Sequence, residues 1–427
     1  MSAAPTATGL RVLVVGGGGR EHALAWACGR SPSVAQVSCA PGNGGTASLG
    51  ENHPVAATDP QGLVRLARSE AADLVLLGPD AAVAAGVGDA LREAGIAAFG
   101  PDRAAGRLES SKAFAKEVMR RAGVATPAFE VFEDQPSALR HLRRRGAPMV
   151  VKADGLALGK GAFVCASEAD AEAALELLLG RRELGAAGDL VLIEDCLSGE
   201  EVSFFAICDG DSAVMLPPAR DYKRAEDGDR GGNTGGMGGF APAPEAGWRE
   251  LNRRVRLEVV EPVLAELRRL GTPYRGCLYV GAMLVQDQIQ VLEFNARFGD
   301  PEAEVQMPLL EDLVPLLWQA ATGHLEWPDP EPRGGACVGV VAARDPYPGP
   351  VEPGGEISGI EAAEAMGCQV FQMGTRTGRG DAPEVAGGRV LICTALGSGR
   401  LEARRGAYAG LAAIEFPRMR YRQDIGA

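Results

Sequence analysis

Short apolar runs alternate with longer mixed stretches along the first hundred residues. "RVLVVG" (Arg11–Gly16), "VAQVSCAPG" (Val34–Gly42), "ADLVLLGPD" (Ala72–Asp80) and "IAAFGP" (Ile96–Pro101) each end in Gly or Pro. Between them lie Ala- and Leu-rich segments of helical length, "PQGLVRLARSEA" and "AAVAAGVGDALREAG". Apolar strands alternating with helices predict a parallel sheet with right-handed crossovers. Ligands of such sheets sit beyond the carboxyl ends of the strands, where these Gly/Pro turns fall.

The texture changes from about Leu108. A helix ("SSKAFAKEVMRRAG") leads to an extended "TPAFEVF", a second helix, the strand "PMVVKA" and a Gly-rich turn. Then come "LVLIEDCL", "EVSFFAICDG", a long glycine-rich loop, a charged helix (about Trp248–Leu270) and the hairpin "CLYVGAMLV-QDQ-IQVLEFNA". Strands joined by short turns predict antiparallel pairing, hence an α+β region distinct from the first. "PDPEPRGG" (Pro328–Gly335) reads as a linker, and the remainder alternates strands and helices again as a third, small unit. The expected domains are 1–107, 108–328 with a smaller lobe at about 125–192, and 329–427.

Composition narrows the function classes. The 427 residues are 46% hydrophobic and 23% charged, as in a globular protein, with a formal net charge of −13. That charge argues against non-specific nucleic-acid binding, which needs a basic surface. Nine single cysteines without a C-x-x-C pair predict neither a disulfide framework nor a zinc site, but buried thiols in a reducing compartment. No basic-then-apolar leader and no run of 18 apolar residues is evident, so the expectation is a cytoplasmic protein without a membrane partner.

Four stretches carry candidate chemistry. In "VLVVGGGGREHALAW" (Val12–Trp26), Gly16 and Gly18 fit a dinucleotide fingerprint, but Glu21 takes its third glycine position. The second strand also lacks the acidic residue that holds a ribose, which disfavours a dehydrogenase. What remains is a set of N–H groups at a helix start beside Arg20, suited to one phosphate, with the loop Pro41–Thr46 at the next strand end.

"MVVKADGLALGKGAFV" places Lys152 on a strand before a loop holding Gly159, Lys160 and Gly161. The spacing is not that of a Walker A loop; a Gly-rich flap closing over phosphates fits it. Lys112, near a helix start, adds a cation. Glu194, Glu200 and Glu201 flank a predicted crossover from one sheet to another, where a base and a ribose could be held.

In "VLEFNARFGDPEAE" (Val291–Glu304), period-two alternation sends Glu293, Asn295 and Arg297 to one face and Leu292, Phe294 and Ala296 to the core. A carboxylate and an amide oxygen are hard ligands suited to Mg²⁺. Arg297 is placed to hold a phosphoryl or carboxylate group.

These features together resemble the ATP-grasp ligases. Within that superfamily, "VVGGGGREHALAW", "APGNGGT", "GNTGGMGGFAPAP" and "EFNARFGDPE" closely resemble the phosphoribosylamine–glycine ligases, over nearly the whole chain. The resemblance implies a multidomain α/β and α+β architecture: an N-terminal parallel-sheet domain, a central ATP-grasp domain with a flap-bearing lobe, and a small C-terminal α/β domain. It implies a ligase of purine biosynthesis that joins glycine to 5-phosphoribosylamine through glycyl phosphate, consuming ATP.

Residue by residue, the resemblance implies Mg²⁺ (or Mn²⁺) on Glu293 and Asn295. ATP falls to Lys112, Lys152, Gly159, Lys160, Gly161, Glu194, Leu197 and Glu201. Phosphoribosylamine falls to Gly17, Gly18, Gly19, Arg20 and Asn43. Glycine and the acyl phosphate fall to Asp221, Lys223, Asn233, Thr234, Gly235, Gly236 and Arg297. Tyr222, Gly232, Asp80 and Gln372 depart from the family's usual residues. A monomer is the expected state. Another ATP-grasp carboxylate–amine ligase, or a nucleotide-binding regulatory module, stands as the alternative.

Overall fold

The first hundred residues form a sheet of five parallel strands, four of them from the apolar runs: β1 (Leu10–Gly16), β2 (Val34–Pro41), β3 (Glu51–Asn52), β4 (Leu74–Leu77) and β5 (Ala97–Phe99), in the order β3-β2-β1-β4-β5. The two-residue edge strand β3 carries no hydrophobic signal and was not expected from the pattern. The computed structural model describes residues 8–157 and 161–427, so Gly159 and Lys160 of the expected flap lie outside the described residues. Along β1, Val12 and Val14 enter one buried cluster while Leu13 and Val15 enter another. Both faces are thus covered, as parallel sheets require.

The strand order reverses between β1 and β4, and the glycine turn leads from β1 into α1 (Gly19–Arg30) at that switch point. α2 (Pro60–Ser69) follows the pattern. The next helical stretch is broken: Gly86 adopts a left-handed φ of 81° and divides it into α3 (Asp80–Ala85) and α4 (Val87–Glu93). α5 (Arg103–Ser110) and α6 (Lys112–Ala122) lead into the central region, and the Ser111 side chain caps α6 by accepting the Phe114 N–H at 3.2 Å.

A four-stranded antiparallel sheet, order β6-β9-β7-β8, forms the lobe from β6 (Phe129–Phe132), β7 (Met149–Ala153), β8 (Ala162–Cys165) and β9 (Val191–Asp195). Its core, with Leu142, Val151, Leu175 and Ile193, is separate from the others. After β9 the chain crosses into β10 (Glu200–Asp209) of a nine-stranded antiparallel sheet, so the expected change of sheet falls at Cys196–Gly199.

That sheet also holds β11 (Ala213–Asp221). The glycine-rich stretch that reads as one loop contains a small ribbon, β12 (Arg224–Glu226) with β13 (Arg230–Asn233), and the sheet strand β14 (Gly238–Ala241). The predicted hairpin is β15 (Arg275–Val285) and β16 (Gln288–Asn295). Beyond the Pro-rich segment, β17 (Ala336–Arg344) pairs with β14. The C-terminal strands β18 (Gln369–Gln372), β21 (Arg389–Gly397) and β22 (Met419–Arg420) therefore continue the central sheet, while β19 (Thr375–Thr377) and β20 (Pro383–Val385) form a separate ribbon.

One buried cluster runs from Val12 and Val14 through Phe205, Leu216 and Leu317 to Val341 and Ile392, joining first, central and last regions. All nine cysteines are free and eight are buried. Among the described residues no helix is long and apolar enough to cross a membrane.

Polar contacts join the first and last regions where β18 meets α1. The Gln372 N–H donates to His22 Nδ1 at 2.8 Å, and the Asn43 amide donates to the Gln372 carbonyl at 2.8 Å. The His22 ring, 5% exposed, packs edge-on against Phe371. Burial pushes its imidazole down to about 4, so only the neutral ring is accommodated. The unfolded chain binds a proton here near pH 6.5 and the folded chain does not. Stability is therefore full above that pH and is lost as pH falls toward 4, by about 3 kcal/mol. Urea unfolding midpoints at pH 7 and 5 should fall more steeply for wild type than for His22→Asn; equal slopes contradict this origin.

Candidate active site

The strand carrying the expected metal ligands is irregular. Gly281 pairs with Glu293 but its neighbour Ala282 pairs with Val291, which leaves Leu292 as a bulge. The bulge resets the alternation: Val291 and Phe294 are buried, whereas Leu292 is only half-buried, contrary to its expected core position. It also frees the Leu292 carbonyl, which accepts from Lys152 Nζ at 3.2 Å. Glu293 and Asn295 still share a face.

The Glu293 carboxylate has no hydrogen bond among the described residues. Burial raises its pKa, but Lys223, Lys152, Lys112 and Arg297 outweigh that and hold it below the usual carboxylate range. A carboxylate facing four cations without a direct partner, beside an amide oxygen, is a donor set that fits a hard divalent ion. Among the described residues no group of three or more His, Cys, Asp or Glu could hold a metal.

Arg297 lies past the end of β16, yet its Nη2 reaches Asn295 Oδ1 at 3.3 Å. Its fixed partner is Glu109 of α5, at 2.8 Å, whose other oxygen accepts the Ala296 N–H at 2.7 Å. Arg297 Nη1 and Arg20 Nη1 both donate to the Phe298 carbonyl, at 3.1 and 3.3 Å. The glycine turn and the segment after β16 thus meet at one carbonyl.

The rest of "RFGDPE" draws in the second glycine loop. Gly236, with φ of 110°, packs so closely on Pro301 that a Cβ would collide with its ring. Arg389 Nη1 donates to the Gly235 carbonyl at 2.6 Å and lies 2.7 Å from Asp300 Oδ1. Thr234 Oγ1 donates to the Lys223 carbonyl at 2.9 Å and accepts the Gly236 N–H at 2.9 Å. Asn233 is exposed, paired in the small ribbon with Arg224.

At the glycine turn, the Gly18 N–H is already engaged by Glu21 Oε2 at 2.6 Å, so one of the amides expected to face a phosphate is taken. The first helical amides, Gly19 and Arg20, point out of the helix end by geometry. Gly17 needs its lack of a side chain, since a Cβ would strike the Gly42 carbonyl. Asn43 fastens this second loop to the first by donating to the Gly17 carbonyl at 3.1 Å.

The expected nucleotide residues gather around the change of sheet. Lys152 Nζ meets Glu194 Oε2 at 2.8 Å, and Lys116 Nζ meets Glu194 Oε1 at 3.1 Å. Glu194 is 1% exposed and neutralises two lysines, so in this state its carboxylate faces them and not solvent. Leu197 is half-buried on the crossover, and Gly161 closes the β7–β8 turn through the Ala153 N–H to its carbonyl at 2.8 Å. Lys112 starts α6, its N–H held by the Asp154 carbonyl at 3.1 Å.

Glu201, expected near ATP, forms an ion pair with Lys223, and Asp221 lies 3.9 Å from the same ammonium. Although burial pulls Lys223 down, Asp221 and Glu201 hold it well above the usual lysine range. Burial pushes the Asp221 carboxyl up to about 7, and Lys223 partly opposes this.

The four departures sort by contact. Tyr222 packs in the C-terminal core and its hydroxyl accepts the Gly426 N–H at 3.1 Å. Gln372 accepts from Thr375 Oγ1 at 2.8 Å, Asp80 starts α3, and Gly232 is exposed. Glu109 and Lys116 escaped the motif reading. Lys116 carried a usable signal: one turn after Lys112, it sits among the core positions Ala115, Val118 and Met119.

The chain's similarity to known proteins agrees with this convergence. Residues 10–109, 110–303 and 337–427 match the N domain, the ATP-grasp (A) domain and the C domain of phosphoribosylglycinamide synthetase. A phosphoribosylamine–glycine ligase of Nostoc sp. is 45% identical over 98% of this chain and 99% of its own. One of Allochromatium vinosum is 47% identical over 98% of both. The chain belongs to the phosphoribosylamine–glycine ligase family.

The crystal structure of a family member from Thermotoga maritima superposes with a TM-score of 0.84 at 34% identity, covering 97% of this chain and 100% of that one. A biotin carboxylase domain from Hydrogenobacter thermophilus, solved with MgADP, shares the fold at a TM-score of 0.71 and 17% identity, covering 96% and 91%. As a phosphoribosylamine–glycine ligase, the protein is an ATP-dependent ligase of purine biosynthesis.

Proposed function

We propose that this chain joins glycine to 5-phosphoribosylamine through glycyl phosphate, at the cleft where β16, the "RFGDPE" turn and the two glycine loops converge. The observation that carries it is the shared Phe298 carbonyl, which sets Arg297, beside Glu293 and Asn295, next to Arg20 of the glycine turn. Glu293 and Asn295 would hold a divalent cation, Mg²⁺ or Mn²⁺, which when bound would supply neutralisation of the triphosphate charge. Lys112 and Lys152 neutralise the rest.

The glycine carboxylate lies between Lys223 and Arg297, while Asp221 and the Asn233–Gly236 loop receive its ammonium. A carboxylate oxygen attacks the γ-phosphorus and ADP departs. The substrate amine, delivered by Gly17–Arg20 and Asn43, then attacks the acyl carbon; phosphate leaves and takes up the amine's surplus proton. Such a sequence asks for charge neutralisation and alignment and needs no protein nucleophile. The chain acts as a monomer, and its acidic surface leaves nucleic acid without a role.

Glycine labelled with ¹⁸O in its carboxylate is expected to place one labelled oxygen in the released phosphate per turnover. Unlabelled phosphate would sink the acyl-phosphate route.

A further inference from the structure

Glu304 lies in the short helix Glu302–Gln306, fully buried, and neither of its carboxylate oxygens has a hydrogen-bond partner among the described residues. It is aimed at the glycine turn: a Cβ added to Gly19 would collide with Glu304 Oε1. Met373 of the segment after β18 closes the other side of Gly19. A buried carboxylate with no partner is among the most costly arrangements a fold can hold, whereas its neutral acid is far cheaper.

We propose that Glu304 is a positioning residue for phosphoribosylamine, a neutral carboxylic acid beneath the Gly17–Arg20 turn that supports its shape without placing negative charge beside the substrate's phosphate. The inference rests on the reading of that turn as the phosphate subsite.

The charged groups facing Glu304 act in opposite directions. Asp300, on the turn before the helix, is a like charge that pushes the carboxyl up in addition to burial; Arg389 from β21 and Arg20 from α1 pull it down. Asp300 Oδ1 lies 2.7 Å from Arg389 Nη1, whereas neither Glu304 oxygen has a hydrogen-bond partner among the described residues. Were Glu304 ionised, its charge would lie against the α1 N-terminus and cancel the field that attracts an anion there.

The test compares wild type with Glu304→Gln, a neutral isostere. The KM for phosphoribosylamine of Glu304→Gln should stay within about twofold of wild type near pH 7.5, with kcat unchanged. As pH is raised above neutrality the wild-type KM should rise about tenfold once the acid ionises, while that of the variant stays flat. Infrared difference spectra, wild type minus variant, should show the carbonyl stretch of a protonated acid at neutral pH in wild type. Glu304→Met, also neutral, should reproduce the flat profile if the glutamine variant folds poorly.

A tenfold KM loss in Glu304→Gln near neutrality, parallel profiles, or no protonated-acid band would each overturn the proposal. Turnover indifferent to phosphoribosylamine in wild type defeats the substrate reading as well. Normal wild-type turnover with a matching variant profile defeats the role of Glu304 alone.

Discussion

Replacing Glu293 with glutamine is expected to lower glycine-dependent ADP release by roughly two to three orders of magnitude, the scale of losing one electrostatic contact that matters in the transition state. The side chain keeps its volume, so the bulged end of β16 should keep its packing and the circular dichroism spectrum should not change. What disappears is a negative charge that faces Lys223, Lys152, Lys112 and Arg297 without being paired to any of them. An amide in its place still offers an oxygen, but two neutral donors hold a divalent cation far more weakly than one charged and one neutral donor. Raising the Mg²⁺ concentration should therefore recover part of the rate. A loss below tenfold, or one that ignores Mg²⁺, places the ion elsewhere.

The second large effect is on stability. Glu194→Ala removes the carboxylate that holds two buried lysines, Lys116 at 1% and Lys152 at 7% exposure. Breaking a buried ion pair from one side typically costs about 3–5 kcal/mol, because the remaining charge is left without compensation. Here two ammonium groups are stranded, and burial already pushes the Lys116 pKa down to about 8 with Glu194 in place. Urea unfolding should show the loss near neutral pH. The double variant Lys116→Met, Glu194→Ala should recover part of it, since one stranded charge becomes an apolar side chain. A cost under about 1 kcal/mol for Glu194→Ala would mean that water reaches this triad.

Local pattern was enough for the elements whose signal is local. The parallel strands, the β15–β16 hairpin, the crossover at Cys196–Gly199 and the pairing of Glu293 with Asn295 on one face follow from short-range periodicity and turn residues. The bulge at Leu292 does not, because it is a mismatch between β16 and β15 and is visible only once their register is known. The continuation of the central sheet into β17 depends on pairing with β14, whose Gly-Gly-Phe-Ala sequence has the composition of a loop. Gly86 was hidden within an Ala-rich stretch that otherwise reads as one helix.

The buried charges were the least legible part of the site. Glu109 meets Arg297 from 188 positions away, and the Lys116–Glu194 contact spans 78. Neither partner lies near the other's motif, so nothing in either segment announces the pair. Once folded, these contacts decide what the motif residues can do: Glu109 aims Arg297, and Glu194 fixes Lys152 beside the Leu292 carbonyl. The glycine turn shows the same limit. Its four glycines pointed to a phosphate, but the Gly18 amide taken by Glu21 and the acid beneath Gly19 appear only in three dimensions.

Anomalous diffraction from crystals soaked with Mn²⁺ and a non-hydrolysable ATP analogue tests most directly whether Glu293 and Asn295 gather the triphosphate around one divalent ion. The expected result is a peak within bonding distance of the Glu293 carboxylate and the Asn295 amide oxygen, absent in Glu293→Gln. A peak held by other side chains, with these two pointing away from it, contradicts the account.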